Sequence, residues 1–368
     1  MESMMALLAD LPVIAWMVLA ALALAALLVG LLIRERHLLS KVQLTDDSDH
    51  EAVTSGIEPS DTAPAPALFS PREQQLWEAL TEALAGAASP PFFALHVQPI
   101  YRLNDGRLLG GEALIRWQHD ELGQVSPGEF IPVAEMTGQI IQLDRQVLAH
   151  VVAQLAQLPK GLLGVMRINV NVSIQHFYSV SLINYIQALC HQHGLPMSCL
   201  ELEVTEHTSC ADLERIQGSM RLARSHGMGL ALDDFGTGYT SLRFLQGLPF
   251  TKVKLDRSFV SRIDHDQQSR RLVQCLVEMS HTLEMSCVAE GIEQAGELEL
   301  LQRMGCDAGQ GYLLARPMPY AEFIDLAERS LLIGGQPIRD SMGVINREKP
   351  GVGGAGQPVG ASSGSDNA

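Results

Sequence analysis

From residue 92 to about residue 332 the chain alternates short apolar runs with amphipathic stretches of helical length, and this alternation narrows the fold more than any other feature. The apolar runs fall at 93–99, 108–117, 164–172, 200–205, 229–233, 252–255, 286–289 and 308–313. Helical patterns lie between most of them, at 126–137, 143–157, 181–193, 212–226 and 267–283. Strand–helix alternation over this length implies a largely parallel α/β fold, and eight strands suit a (β/α)8 barrel. The first pair of strands is the exception. Only the turn-like Asn104-Asp105-Gly106 region separates them, which suits a hairpin, so one strand should run antiparallel to its neighbours.

In such a barrel the working residues stand at the carboxyl ends of the strands. Glu112 lies within the second run, and Asn171, Glu203 with Glu206, Asp233-Asp234, Lys254 and Glu290 stand at or beside the ends of later ones. Gln310 precedes Gly311-Tyr312 after the last. Any single acid here reads as a solvated rim residue. Together they are different, because so many carboxylates aimed at one mouth repel one another unless a cation offsets them. All-oxygen ligands without a His or Cys cluster point to Mg2+ or Mn2+. The tripeptide Glu112-Ala113-Leu114 alone carries little, since Glu78-Ala79-Leu80 and Glu82-Ala83-Leu84 repeat it in a stretch that reads as plain helix.

The net charge of −16 argues against a basic face for a nucleic-acid polymer. The six cysteines are scattered without a CxxC pair, which excludes zinc ribbons and reads as reduced thiols of a cytosolic domain. Residues 11–33 carry no charge and are long enough to cross a bilayer as a helix. Arg34, Arg36 and Lys41 follow, and only Glu2 and Asp10 precede, so the expected orientation leaves 1–10 outside and the rest in the cytoplasm. A cleaved signal peptide needs a basic start and a shorter apolar core, and this segment has neither. With about ten residues before the span, no sensor domain is expected outside. An acidic, Pro-containing linker covers 34–70, a helix opened by Ser70 and Glu73 covers 71–86, the barrel domain covers 90–335, and 336–368 reads as a disordered tail.

Gln98-Pro99-Ile100, Glu112 to Trp117, Asn171-Val172-Ser173, Glu201 to Glu206, Asp233 to Tyr239, Lys254-Leu255-Asp256, Ala289 to Glu293 and Gln310-Gly311-Tyr312 together resemble the motifs of an EAL domain, in the right order. That family comprises cyclic-di-GMP phosphodiesterases. The resemblance implies a TIM-type barrel with an antiparallel first strand. It also implies two ions, Mg2+ or Mn2+, the first held by Glu112, Asn171, Glu203 and Asp233, the second by Asp233 and Asp234. Lys254 would orient the attacking water. Glu290 matches the proposed general base, although a metal-activated water needs no separate base, and both readings stay open. Glu206 would brace the glycine-rich loop after Asp234, which the family uses for the second metal site and the dimer contact, so a homodimer is expected. Gln98, Ile115, Arg116, Asp256, Glu293, Gln310 and Tyr312 match substrate-side positions. Departures are few: Thr240 stands where Ser is usual, Leu255 and Ile115 exchange one apolar residue for another, and His96-Val97 precedes Gln98 where an aromatic is typical. The implied activity is hydrolysis of cyclic-di-GMP to a linear dinucleotide. The alternatives are an idle cyclic-di-GMP receptor, or a scaffold that binds no nucleotide.

Overall fold

The computed structural model of the chain describes residues 69–85, 93–159, 161–163, 165–205, 213–236 and 242–332. The expected membrane helix, the acidic linker, the tail, Glu206 and the loop 237–241 lie outside them. Among the described residues no helix is long and apolar enough to cross a membrane.

Helix α1 (Pro71–Ala85) leads into strands β1 (Phe93–Arg102), β2 (Leu108–His119) and β3 (Gly123–Val125), then helices α2 (Pro127–Met136) and α3 (Ile140–Leu155). β4 (Arg167–Asn171), α4 (Ser181–His193), β5 (Leu200–Thr205), α5 (Leu213–Ser225), β6 (Gly229–Phe235) and α6 (Leu242–Gly247) follow. The chain continues with β7 (Lys252–Leu255), α7 (Arg257–Val260), α8 (Gln267–Thr282), β8 (Ser286–Ala289), α9 (Ala295–Arg303), β9 (Ala308–Gly309), β10 (Met318–Pro319) and α10 (Tyr320–Leu332).

The sheet runs β10-β1-β9-β8-β7-β6-β5-β4-β2-β3, and pairing of β1 with β2 closes eight of these strands into a barrel. From β2 round to β9 the barrel neighbours are parallel, while β1 is antiparallel to both β2 and β9. The expected barrel with one reversed strand is therefore present. Its outer layer closes with apolar side chains such as Phe130, Leu148, Ile186, Met220 and Phe323, all fully buried.

Local chemistry explains the helix starts. Ser70 and Glu73 form a reciprocal cap, with Glu73 N donating to Ser70 Oγ at 3.3 Å and Ser70 N to Glu73 Oε2 at 2.7 Å. Ser126 and Glu129 do the same for α2, with Pro127 at its first position. Helix α1 is part of the domain, because Leu76 and Leu80 are buried, worth about 1.5–3 kcal/mol each, and Gln142 Nε2 donates to Leu84 O at 2.9 Å.

Several boundaries differ from those read in the sequence: β1 runs on to Arg102 and β6 to Phe235, and the helix read at 143–157 is Ile140–Leu155. The fourth element begins at Arg167, not 164, because Met166 N and Val165 N donate to Leu162 O in a turn. The last barrel strand stops at Gly309 instead of continuing to 313. Gly311 lies so close to the backbone of Ile292 that any Cβ would overlap it, and Leu313 N donates to Ile292 O at 3.0 Å, so the chain there is held as a turn. Strand β2 continues to His119, and beyond Ala113 it pairs only with β1 and β3, which lifts Ile115 and Arg116 above the barrel mouth.

Candidate active site

Lys254, on β7, is 1% exposed, and its Nζ stands at the centre of four carboxylates. It lies 3.2 Å from Glu112 Oε2, 2.9 Å from Glu203 Oε2, 3.0 Å from Asp233 Oδ1 and 2.8 Å from Glu290 Oε1. These residues come from five strands or strand ends, so only closure of the barrel brings them together. Carboxylate oxygens of Glu112, Glu203 and Asp233 lie within 4.8 Å of one another, and those of Asp233, Asp234 and Glu290 form a second such group. Asn171 Nδ2 donates to Glu112 Oε1 at 2.9 Å, and Gln310 Nε2 donates to Glu112 Oε2 at 2.7 Å and Glu290 Oε1 at 3.0 Å.

Consecutive side chains on a strand face opposite sides, so Asp233 and Asp234 should not share a mouth. Two local devices allow it. The β6–β7 register jumps from Leu232↔Val253 to Phe235↔Leu255, an extra residue on β6 of the kind that re-aims a side chain. Asp234 adopts φ 54, a left-handed conformation that Asp tolerates better than most residues.

The electrostatics are those of an over-filled anionic pocket. Burial pushes Glu203 well above the usual carboxylate range, and neighbouring Glu112 and Asp233 add to it beyond what Lys254 offsets. Burial raises Glu290 to about 8, with Asp233 and Glu112 contributing. Asp234 is raised by burial, Asp233 and Asp256. Burial also opposes ionisation of Glu112, but Lys254, Gln310 and Asn171 hold it below its ordinary value. Burial disfavours charge on Lys254, and the four carboxylates overcome it, so the amine is held well above its ordinary range. Carboxyls held above their ordinary range mark a site short of positive charge. The donor set is all oxygen, and the buried Oε1 of Gln310 has no partner among the described residues, so these side chains fit a hard divalent cation.

Beside this cluster is a cavity of about 220 Å³ with mainly apolar walls, lined by Ile115, Arg116, Ile131, Leu143, Asn171 and Thr205 among others. The half-buried Arg116 is among its lining residues.

The EAL domain sequence profile matches residues 78–317, more than half of the chain. The chain belongs to the EAL domain family. The bifunctional diguanylate cyclase/cyclic di-GMP phosphodiesterase MucR of Pseudomonas aeruginosa is 37% identical over 230 residues, 62% of this chain and 34% of that protein. The cyclic di-GMP phosphodiesterase NbdA of the same organism is 35% identical over 268 residues, 73% of this chain and 34% of that protein. The chain thus spans about a third of the length of these curated relatives. A solved structure of the MucR phosphodiesterase in complex with c-di-GMP superimposes with TM-score 0.62 at 36% identity, covering 68% of this chain and 99% of that one.

The remaining positions singled out in this EAL domain are spread around the mouth. Gln98 is nearly buried and donates to Ala315 O at 3.2 Å, tying β1 to the segment after Tyr312. Tyr312 is 49% exposed, with the Arg316 guanidinium 4.3 Å over its ring. Asp256 caps α7, its Oδ1 accepting from Ser258 N at 2.9 Å, and Glu293 pairs with Arg257 at 3.0 Å. Neither touches the four-carboxylate cluster directly.

Two buried pairs escape the sequence reading. Asp144 accepts from Ser173 N at 2.8 Å and lies 3.1 Å from His176 Nε2, bracing the loop just after Asn171. Burial holds this carboxyl above its ordinary range, against the pull of His176 and Ser173. The other pair is Asn169 and Glu201, each two residues before a residue of the cluster on its own strand. The period of two along β4 and β5 is the signal that points to it.

Proposed function

We propose that this chain is a metal-dependent phosphodiesterase that opens cyclic-di-GMP to linear pGpG. The observation that carries the reading is the pocket of four carboxylates round Lys254, with an all-oxygen donor set and more acid than one ammonium balances. The relatives named as cyclic di-GMP phosphodiesterases support the substrate.

Glu112, Asn171, Glu203 and Asp233 would hold one divalent ion, and Asp233 with Asp234 a second. Bound Mg2+ or Mn2+ supplies Lewis acidity to activate water and offsets charge on the phosphoryl group. Lys254 contributes a fixed ammonium that orients the water and the carboxylates around it. Glu290, whose Oε1 lies 2.8 Å from Lys254 Nζ and 3.0 Å from Gln310 Nε2, would stand at the same centre to take a proton from that water. Gln310 holds the Glu112 and Glu290 carboxylates in register. Arg116 presents a planar, permanently charged fork to a phosphate or a guanine edge, and the cavity beside Ile115 would receive a base.

The apolar stretch 11–33 with its basic flank supports a membrane anchor that keeps the barrel at the cytoplasmic face of the inner membrane, and the family's loop after Asp234 supports a homodimer.

Incubation of the protein with cyclic-di-GMP and Mn2+ or Mg2+, followed by chromatography, tests the reaction. Linear dinucleotide is expected from the wild type, and none from Glu112→Ala or with chelator. Retained nucleotide binding with no product under any metal would replace the enzyme with a receptor.

A further inference from the structure

Below the carboxylate cluster, inside the barrel, lies a second polar layer. Strand alternation generates it: Arg167, Asn169 and Asn171 share one face of β4, Glu201 and Glu203 one face of β5, Lys252 and Lys254 one face of β7. In the β4–β5 register Asn169 lies opposite Glu201 and Asn171 opposite Glu203.

Asn169 Nδ2 donates to Glu203 Oε1 at 2.7 Å and to Glu201 Oε1 at 3.2 Å. An amide nitrogen has two hydrogens, and both are committed. The reversed amide would turn its oxygen toward two carboxylates, so the pair fixes its orientation. Glu201 is held in turn by Lys252 and, at 3.7 Å, by Arg167. Gly229 leaves the space, since a Cβ there would overlap the Glu201 carboxylate. Asn169, Glu201 and Glu203 are 2%, 1% and 0% exposed. The Glu203 carboxylate is thereby gripped at Oε1 by the amide and at Oε2 by Lys254. Barrel layers are ordinarily filled by branched aliphatic side chains, so packing alone does not call for an amide between two buried acids.

We propose that Asn169 and Glu201 are positioning residues for Glu203: the Lys252–Glu201–Asn169 stack pre-orients the one fully buried carboxylate of the cluster toward its cation. This rests on the reading of Glu203 as a metal ligand. Such outer partners are worth about 10–100-fold in metal affinity.

Calorimetric titration of Mn2+ alone into the full chain, paired with kinetics on cyclic-di-GMP and thermal melts in chelator, tests it. Asn169→Leu and Glu201→Leu should bind Mn2+ about tenfold more weakly or worse. Their turnover should fall at limiting Mn2+ and recover at excess, with KM for the nucleotide unchanged. Glu201→Gln, whose Oε1 still accepts from Asn169, should keep most of the affinity. Asn169→Ala serves if Asn169→Leu fails to melt cooperatively. Wild-type Mn2+ affinity in the Asn169 variant would overturn the proposal, and so would equal losses in Glu201→Gln and Glu201→Leu. Wild-type protein that binds Mn2+ without hydrolysing the nucleotide would sink the proposed reaction but leave the positioning role standing on calorimetry. Wild-type protein that binds no Mn2+ would overturn both.

Discussion

At the carboxyl end of the barrel interior four carboxylates surround one ammonium; at the amino end one carboxylate, Glu201, lies between Lys252 and Arg167. The two ends share strands β5 and β7, each of which gives one residue to either cluster. Their balance is opposite. The lower cluster compensates its own charge and needs nothing more. The upper one does not, and it shows the mismatch as carboxyls held far above their ordinary range. Buried charge by itself is thus a poor pointer to function, whereas buried charge left unbalanced in a mouth is a good one.

Removing the cation from each end should separate the two most sharply. Lys254→Met leaves four acids around a fully buried position, and urea unfolding in chelator at neutral pH should show a loss of about 3–5 kcal/mol. Lys252→Met, at a site where Arg167 remains and water has partial access, should cost only about 1–2 kcal/mol. Equal losses would erase the distinction.

The pH response should report the unbalanced end. Glu203 and Glu290 have folded-state values above their unfolded ones, so the native state binds more protons than the unfolded state. The metal-free protein should therefore lose stability as pH rises from about 4.5 through about 8. Mn2+ should flatten that slope, and Glu290→Gln should reduce it. A metal-free protein whose stability is level across this window would count against the unbalanced-acid account. The smallest effect belongs to Arg167→Ala, because its guanidinium is nearly half exposed and 3.7 Å from Glu201: under about 1 kcal/mol, read from the same unfolding curves.

Much of this molecule is legible in its sequence, and the reasons are local. Apolar runs bounded by caps and turns mark β5, β7 and β8 to the residue, and Ser126 followed by Pro127 marks the start of α2. Strand ends then bring Glu203, Asp233, Lys254 and Glu290 to one mouth. What is not legible depends on register and tertiary contact. The bulge that lets Asp233 and Asp234 face the same way has no mark in the letters Asp-Asp-Phe-Gly. The shortening of the last barrel strand depends on the backbone of Ile292, nearly twenty residues earlier. The link from Asn169 to Glu203 crosses between strands and appears only once β4 and β5 are aligned.

The most direct test of the central claim is a calorimetric titration of Mn2+ into the wild-type chain near pH 7, repeated in buffers of different ionisation heat and in Glu203→Gln. The unbalanced cluster predicts binding accompanied by proton release, because carboxyls that carry protons without a cation must give them up to ligate one, with affinity sharply reduced in the variant. Absence of binding, or equal affinity in Glu203→Gln, would contradict it.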